Sequence, residues 1–85
     1  MSHFLIELQT SETRQYITTI RANARNAEIA YVAYTPFRQK DEMGKLCSQL
    51  VSVTGKTIEE AIQKLAEQLK ILENEYPYVA NSTYV

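Results

Sequence analysis

Three arginines are the residues of this sequence best placed to bind an anion. On a helix that begins near Thr13, Arg14, Arg21 and Arg25 would stack within about 40 to 60° of one another, beside the apolar side. Guanidinium groups pair bidentately with carboxylates and phosphates, and no acidic residue lies between positions 13 and 26. The spacing predicts a stripe that contacts an acidic protein surface or nucleic-acid phosphates; a merely solvated helix face is the alternative.

Tyrosine is the second residue type that indicates binding, because the chain has six tyrosines and no tryptophan. Tyr31 and Tyr34 fall on opposite faces of a predicted strand, so at least one ring should leave the covered side of the sheet. An exposed tyrosine can fill a pocket on a protein partner or stack on an unpaired base. The alternative is that both rings border a small core.

Residue types that perform catalysis are sparse. The only histidine, His3, and the only cysteine, Cys47, could approach each other in a sheet, but a buried inert thiol and a chain-end histidine explain them better. The segment 53–57 resembles the end of a phosphate-binding loop, yet Leu50 stands where that motif needs glycine. We therefore expect no enzyme activity, no cofactor and no metal site.

Composition narrows the class of protein. A length of 85 residues with 45% hydrophobic and 22% charged residues predicts a single domain spanning 1–85. A net charge of -1 argues against non-specific nucleic-acid coating. No targeting segment or membrane span is recognisable, so we expect a cytoplasmic protein. For a chain this small we also expect dimerisation, or a partner that covers an apolar face.

The first half of the chain is predicted to form a strand, a helix and a hairpin. Residues 4–8 suit a strand, and the residues from Thr13 onward follow a helical period that places Ile17, Ile20 and Ala24 on one apolar side. Two alternating segments, 28–37 and 46–54, predict strands joined by a hairpin loop at 38–45.

The second half of the chain contains the clearest signal for the start of a helix. Thr57 followed three residues later by Glu60 is a capping box, and apolar residues at helical spacing predict a second helix that runs to about Asn74. Residues 78–85 form either a final edge strand or a loose tail.

These elements predict an α+β fold of the order β-α-β-β-α, with an optional final strand. The architecture is a small two-layer sandwich, ferredoxin-like or related, with an antiparallel sheet and two helices on one face. We expect a non-enzymatic binding or regulatory protein that docks a protein partner or a second copy of itself. Its contacts are Arg14, Arg21, Arg25, Tyr31 and Tyr34, and a nucleic-acid-binding module that uses the arginines on phosphates is the alternative. The motifs assign the chain to no family.

Overall fold

The computed structural model describes residues 3–12, 14–25 and 28–76, which form a four-stranded antiparallel sheet and one helix. The strands follow chain order across the sheet, so each pairs with its sequence neighbour and β1 and β4 lie at the edges. The elements are β1 (His3–Ser11), β2 (Arg14–Arg25), β3 (Glu28–Lys40), β4 (Leu46–Gly55) and α1 (Ile58–Glu75).

Strand alternation sorts the side chains of the sheet onto two faces. In the register, Leu8 pairs with Tyr16, and Ile20 pairs with Ala33, which in turn pairs with Val53. These residues share the face that packs against α1, called here the covered face. The residues between them in each strand form the opposite side, called here the open face.

The hydrophobic core lies between the covered face and the helix. The rings of Tyr16 and Phe37 stack with centroids 6.4 Å apart, and Ile20 is fully buried beside them. From the helix, the core receives the fully buried side chains of Ala61, Leu65 and Leu69. Burying a leucine side chain contributes about 1.5 to 3 kcal/mol, so this helix face supplies much of the stability of the layer pair.

The predicted first helix is wrong, because Arg14–Arg25 is the strand β2. A helical period places Ile17 and Ile20 on one side, whereas in the structure Ile20 is fully buried and Ile17 is 50% exposed. That contrast is the mark of alternation, and the β-branched residues from Ile17 to Ile20 favour a strand. The fold is therefore β-β-β-β-α with one helix, and the predicted order β-α-β-β-α with two helices on one face is wrong.

The turn between β4 and α1 forms the capping box that the sequence predicts. The hydroxyl of Thr57 accepts the amide N–H of Glu60 at 3.0 Å, as a capping box requires. The Glu60 carboxylate accepts the amide N–H of Lys56 at 3.1 Å. Gly55 is buried at the turn, where a Cβ atom would lie 2.6 Å from the backbone nitrogen of Ala61. The predicted helix start is confirmed, and the helix ends one residue beyond Asn74.

The far end of the helix is fastened to the β1–β2 hairpin by a nearly buried carboxylate. The Glu73 side chain is 7% exposed and forms an ion pair with Arg14 at 3.2 Å. It accepts hydrogen bonds from the hydroxyl of Thr10 at 2.7 Å and from the hydroxyl of Tyr16. These three donors offset the desolvation of the Glu73 carboxylate. Without them, burying this charge would be strongly destabilising.

The β3–β4 connection is shorter than the predicted loop. It spans 41–45, where the Asp41 carboxylate accepts the amide N–H groups of Met43 at 2.9 Å and Lys45 at 2.8 Å. Gly44 has φ +80, a conformation that side chains with a Cβ rarely adopt. The strands consequently reach Lys40 and Leu46.

Two remaining expectations concern the chain end and membranes. The optional strand or tail at 78–85 lies outside the described residues. Within the part of the chain that the structure describes, no helix has the length and apolar content needed to cross a bilayer.

Candidate interaction surface on the open face of the sheet

The predicted arginine stripe is divided between two faces. Arg14 lies at the covered side, where it pairs with Glu73, whereas Arg21 lies on the open face. Arg25 is at the end of β2, where its backbone pairs with Glu28. Because β2 is a strand, the seven-residue spacing from Arg14 to Arg21 separates these side chains instead of stacking them.

The two tyrosines separate as the strand pattern predicts. Tyr31 packs against the core on the covered face, and its backbone pairs with Ala22 and Gly55. Tyr34 is half-buried on the open face, where it pairs with Thr19 and Ser52. Of the five residues expected to contact a partner, Arg21 and Tyr34 therefore share the open face. The binding role of all five stays a prediction.

Apolar side chains extend across the open face from edge to edge. Leu5 on β1 is 64% exposed, Ile17 on β2 is 50% exposed and Leu50 on β4 is 66% exposed. Tyr34 and Pro36 on β3 lie between them, because Leu5 pairs with Thr19, Thr19 with Tyr34, and Pro36 with Leu50. Scattered exposed leucines are ordinary, but a contiguous apolar patch marks an interaction site.

The local backbone explains how Pro36 is accommodated in a strand between two neighbours. Proline has no N–H to donate to a ladder, and the β2–β3 register ends at Thr19 and Tyr34. The hydroxyl of Thr35, which is buried, donates to the carbonyl of Ile17 at 3.1 Å. This hydrogen bond from the Thr35 side chain links β3 to β2 beyond the last backbone pair and holds Ile17 beside β3.

Charges on the open face are mostly basic. Of the described side chains there, Arg21, Arg38 and Lys40 are cationic, and Glu7 on the edge strand β1 is anionic. Along the strands the apolar residues lie between Arg21 at one end and Arg38 with Lys40 at the other, while Glu7 pairs with Ile17 at the β1 edge. An apolar centre with a polar rim is the usual anatomy of a protein interface.

The residues considered for catalysis are not brought together. His3 on β1 and Cys47 on β4 lie at opposite edges of the sheet and alternate onto opposite faces. Within residues 3–12, 14–25 and 28–76, no group of three or more histidine, cysteine, aspartate or glutamate side chains could hold a metal ion.

Sequence reasoning missed Ile17 as a surface residue and did not name Leu5, Leu46 or Leu50 as contacts. A signal existed in β4, where Leu46, Ser48, Leu50 and Ser52 alternate with the other side of the strand. For Ile17 the signal was hidden by the helical interpretation of β2.

Comparison with known proteins adds no assignment to this geometry. No family model, no curated protein and no solved structure matches the chain.

Proposed function

We propose that this chain is a non-enzymatic binding protein that docks a second copy of itself through the open face. In the resulting homodimer two sheets pack face to face and the helices lie outside. The observation that carries the proposal is the apolar patch of Leu5, Ile17, Tyr34, Pro36 and Leu50, which lies on the face opposite the core side chains that pack against α1. Covering it removes apolar surface from water, at about 25 cal/mol per Å².

The size of the open face supports a sheet-on-sheet interface. Four strands spaced about 4.8 Å apart, each with about ten residues rising about 3.3 Å, give a face of roughly 600 Å². A standard interface buries about 800 Å² of accessible surface on each partner, which is the same order. Inner faces of two packed sheets interdigitate at a separation of about 10 Å, a distance that leucine and tyrosine side chains can fill.

The charges of the open face are compatible with a second copy. If the twofold axis follows the strands, β2 of one copy lies over β3 of the other. Arg21 then lies over the row of Val32, its own ladder partner, and does not oppose another Arg21. The two Arg21 side chains therefore do not face each other directly, which avoids a like-charge contact that would be costly on desolvation.

The test is the molar mass of the protein in solution, measured by light scattering after size exclusion at high protein concentration. We expect at least twice the 9.8 kDa of one chain, and we expect Ile17→Lys to lower the measured mass. Ile71→Lys is the matched control, because Ile71 is also 50% exposed but lies on the helix. A wild-type protein that stays at 9.8 kDa, or equal effects of both variants, would contradict the proposal.

The nucleic-acid alternative uses the same face, where Arg21 and Arg38 flank Tyr34. It predicts affinity for single-stranded RNA that falls steeply with salt and is weakened by Arg21→Ala. RNA binding by a protein that remains monomeric would replace the homodimer with this alternative.

A further inference from the structure

The two edge strands of the sheet differ in how they are protected from pairing with another chain. An edge strand presents unpaired N–H and C=O groups, which proteins usually shield with charges, prolines or bulges. β1 carries the exposed Glu7 in its middle and a register shift between Gln9 and Ser11. β1 is therefore a poor template for strand addition.

β4 has none of these devices along its outer edge. From Leu46 to Thr54 it contains no charged residue and no proline. Its register with β3 runs without a shift from Lys40 and Leu46 to Tyr31 and Gly55. Every residue from Leu46 to Leu50 is exposed, so the first half of the strand is accessible on both faces as well as at the edge.

Structural features at both ends limit the accessible stretch. The Lys64 ammonium group donates to the carbonyl of Thr54 at 3.1 Å, so a side chain already occupies that end of the strand. At the other end, the Asp41 turn closes the hairpin at Lys45. The edge available for pairing is therefore 46–52, a stretch of seven residues with Gln49 at its centre.

We propose that β4 pairs antiparallel with β4 of a second copy, about a twofold axis at Gln49, to form a continuous eight-stranded sheet. Antiparallel pairing about this axis places Ser48 opposite Leu50, and Cys47 opposite Val51 of the other copy. An uncharged strand is complementary to itself in this arrangement, because no like charges meet. Backbone hydrogen bonds supply the attraction, as in other cases of strand addition.

This interface uses a different surface from the proposed function and does not depend on it. A twofold axis perpendicular to the sheet keeps both helices on one side and both open faces on the other. The open-face axis runs between β2 and β3, whereas the β4 axis lies at the edge of the sheet, so the two axes do not meet. A protein that uses both interfaces therefore forms an open chain of copies larger than a dimer.

The experiment compares molar masses of variants that disable one surface at a time. Gln49→Lys places two ammonium groups opposite each other at the β4 axis, and Gln68→Lys adds the same charge on the helix as a control. Gln49→Ala removes the 2.6 Å hydrogen bond to Gln39 without adding charge, which separates damage to the hairpin from repulsion between copies.

The expected masses follow from the two interfaces. Wild type, Gln68→Lys and Gln49→Ala exceed twice 9.8 kDa, whereas Gln49→Lys and Ile17→Lys each leave one interface and give dimers of twice 9.8 kDa. The double variant gives the single chain. If Gln49→Lys leaves the mass of both wild type and Ile17→Lys unchanged, the β4 pairing is wrong. If Ile17→Lys leaves the mass of the protein unchanged while Gln49→Lys lowers it, the open-face homodimer is wrong and the β4 pairing is supported.

A second measurement reports the pairing directly. Amide hydrogen exchange in 46–52 should slow as the Ile17→Lys protein is concentrated, because intermolecular hydrogen bonds protect the edge amides. Concentration-independent exchange in this stretch would overturn the pairing even if the mass data were ambiguous.

Discussion

The covered and open faces of the sheet are built from the same four strands and differ mainly in what lies above them. On the covered face Tyr16 and Phe37 stack beneath the helix, and both are almost fully buried. On the open face Ile17 and Leu50 remain at least half exposed. The helix, and not the hydrophobicity of the strands, decides which face is the core, so the apolar residues of the open face need another explanation.

Truncating one leucine on each face should give the largest difference in the free energy of unfolding. Leu65→Ala should lower the free energy of unfolding by about 2 to 5 kcal/mol, because it empties a fully buried position. Leu50→Ala should change it by less than about 0.5 kcal/mol, because surface substitutions of exposed side chains have small effects on a monomer. The measurement is urea denaturation at a protein concentration low enough to keep the chain monomeric. Equal losses would mean that the open face contributes to the fold of the single chain, and the contrast between the faces would fail.

A smaller difference is expected between two buried threonines of the covered face. The Thr35 hydroxyl donates to Ile17, whereas the hydroxyl of Thr18 has no hydrogen-bond partner among the described residues. Thr35→Val should cost about 1 kcal/mol, and Thr18→Val should raise stability by roughly 1 kcal/mol, because only the first substitution removes a bond. Thermal or urea denaturation of the two variants side by side checks the signs. A loss of stability in Thr18→Val would show that its hydroxyl is satisfied.

The smallest effect on stability is expected from Glu60, which lies on the outer surface of the helix and on neither face of the sheet. The Lys64 side chain, hydrogen-bonded to Glu60 at 3.1 Å, and the Lys56 amide hold the pKa of Glu60 below its ordinary value of 4.5. A lowered pKa in the folded state means that the stabilisation is present above about pH 4.5 and is lost as the pH falls through the folded-state pKa.

The corresponding experiment compares wild type with Glu60→Gln in denaturation midpoints measured between neutral and acidic pH. The gap between the two proteins should be small and should close below about pH 4.5, because Glu60 is exposed to solvent. A gap that widens in acid would reverse the assigned sign.

Individual elements could be predicted where one period was dominant, although the overall architecture was predicted wrongly. Alternation in β3 and β4 and the Thr57 cap of α1 gave boundaries close to the observed ones, since each signal comes from local backbone chemistry. β2 could not be predicted from apolar periodicity, because its covered face includes Thr18, a polar residue that pattern analysis assigns to the surface. Counting threonine as a β-branched core residue brings out the alternation of Tyr16, Thr18 and Ile20.

The candidate surface was predictable only in part, for the same reason. Tyr31 and Tyr34 were separated correctly because their strand was identified. Arg14 and Arg21 were grouped because a helix was assumed, and the partner of Arg14, Glu73, is remote in sequence and is brought near only by tertiary packing.

The contact at Gly55 has a consequence for how this layer pair can vary. The separation between sheet and helix at this corner is set by the size of a hydrogen atom, since even a methyl group would meet the Ala61 backbone. Any larger substituent must tilt the first turn of the helix outward, and that tilt would lift Ala61 and then Leu65 from the strands beneath. A side chain at position 55 would therefore loosen the packing of α1 on the sheet before it disturbed the pairing of the strands.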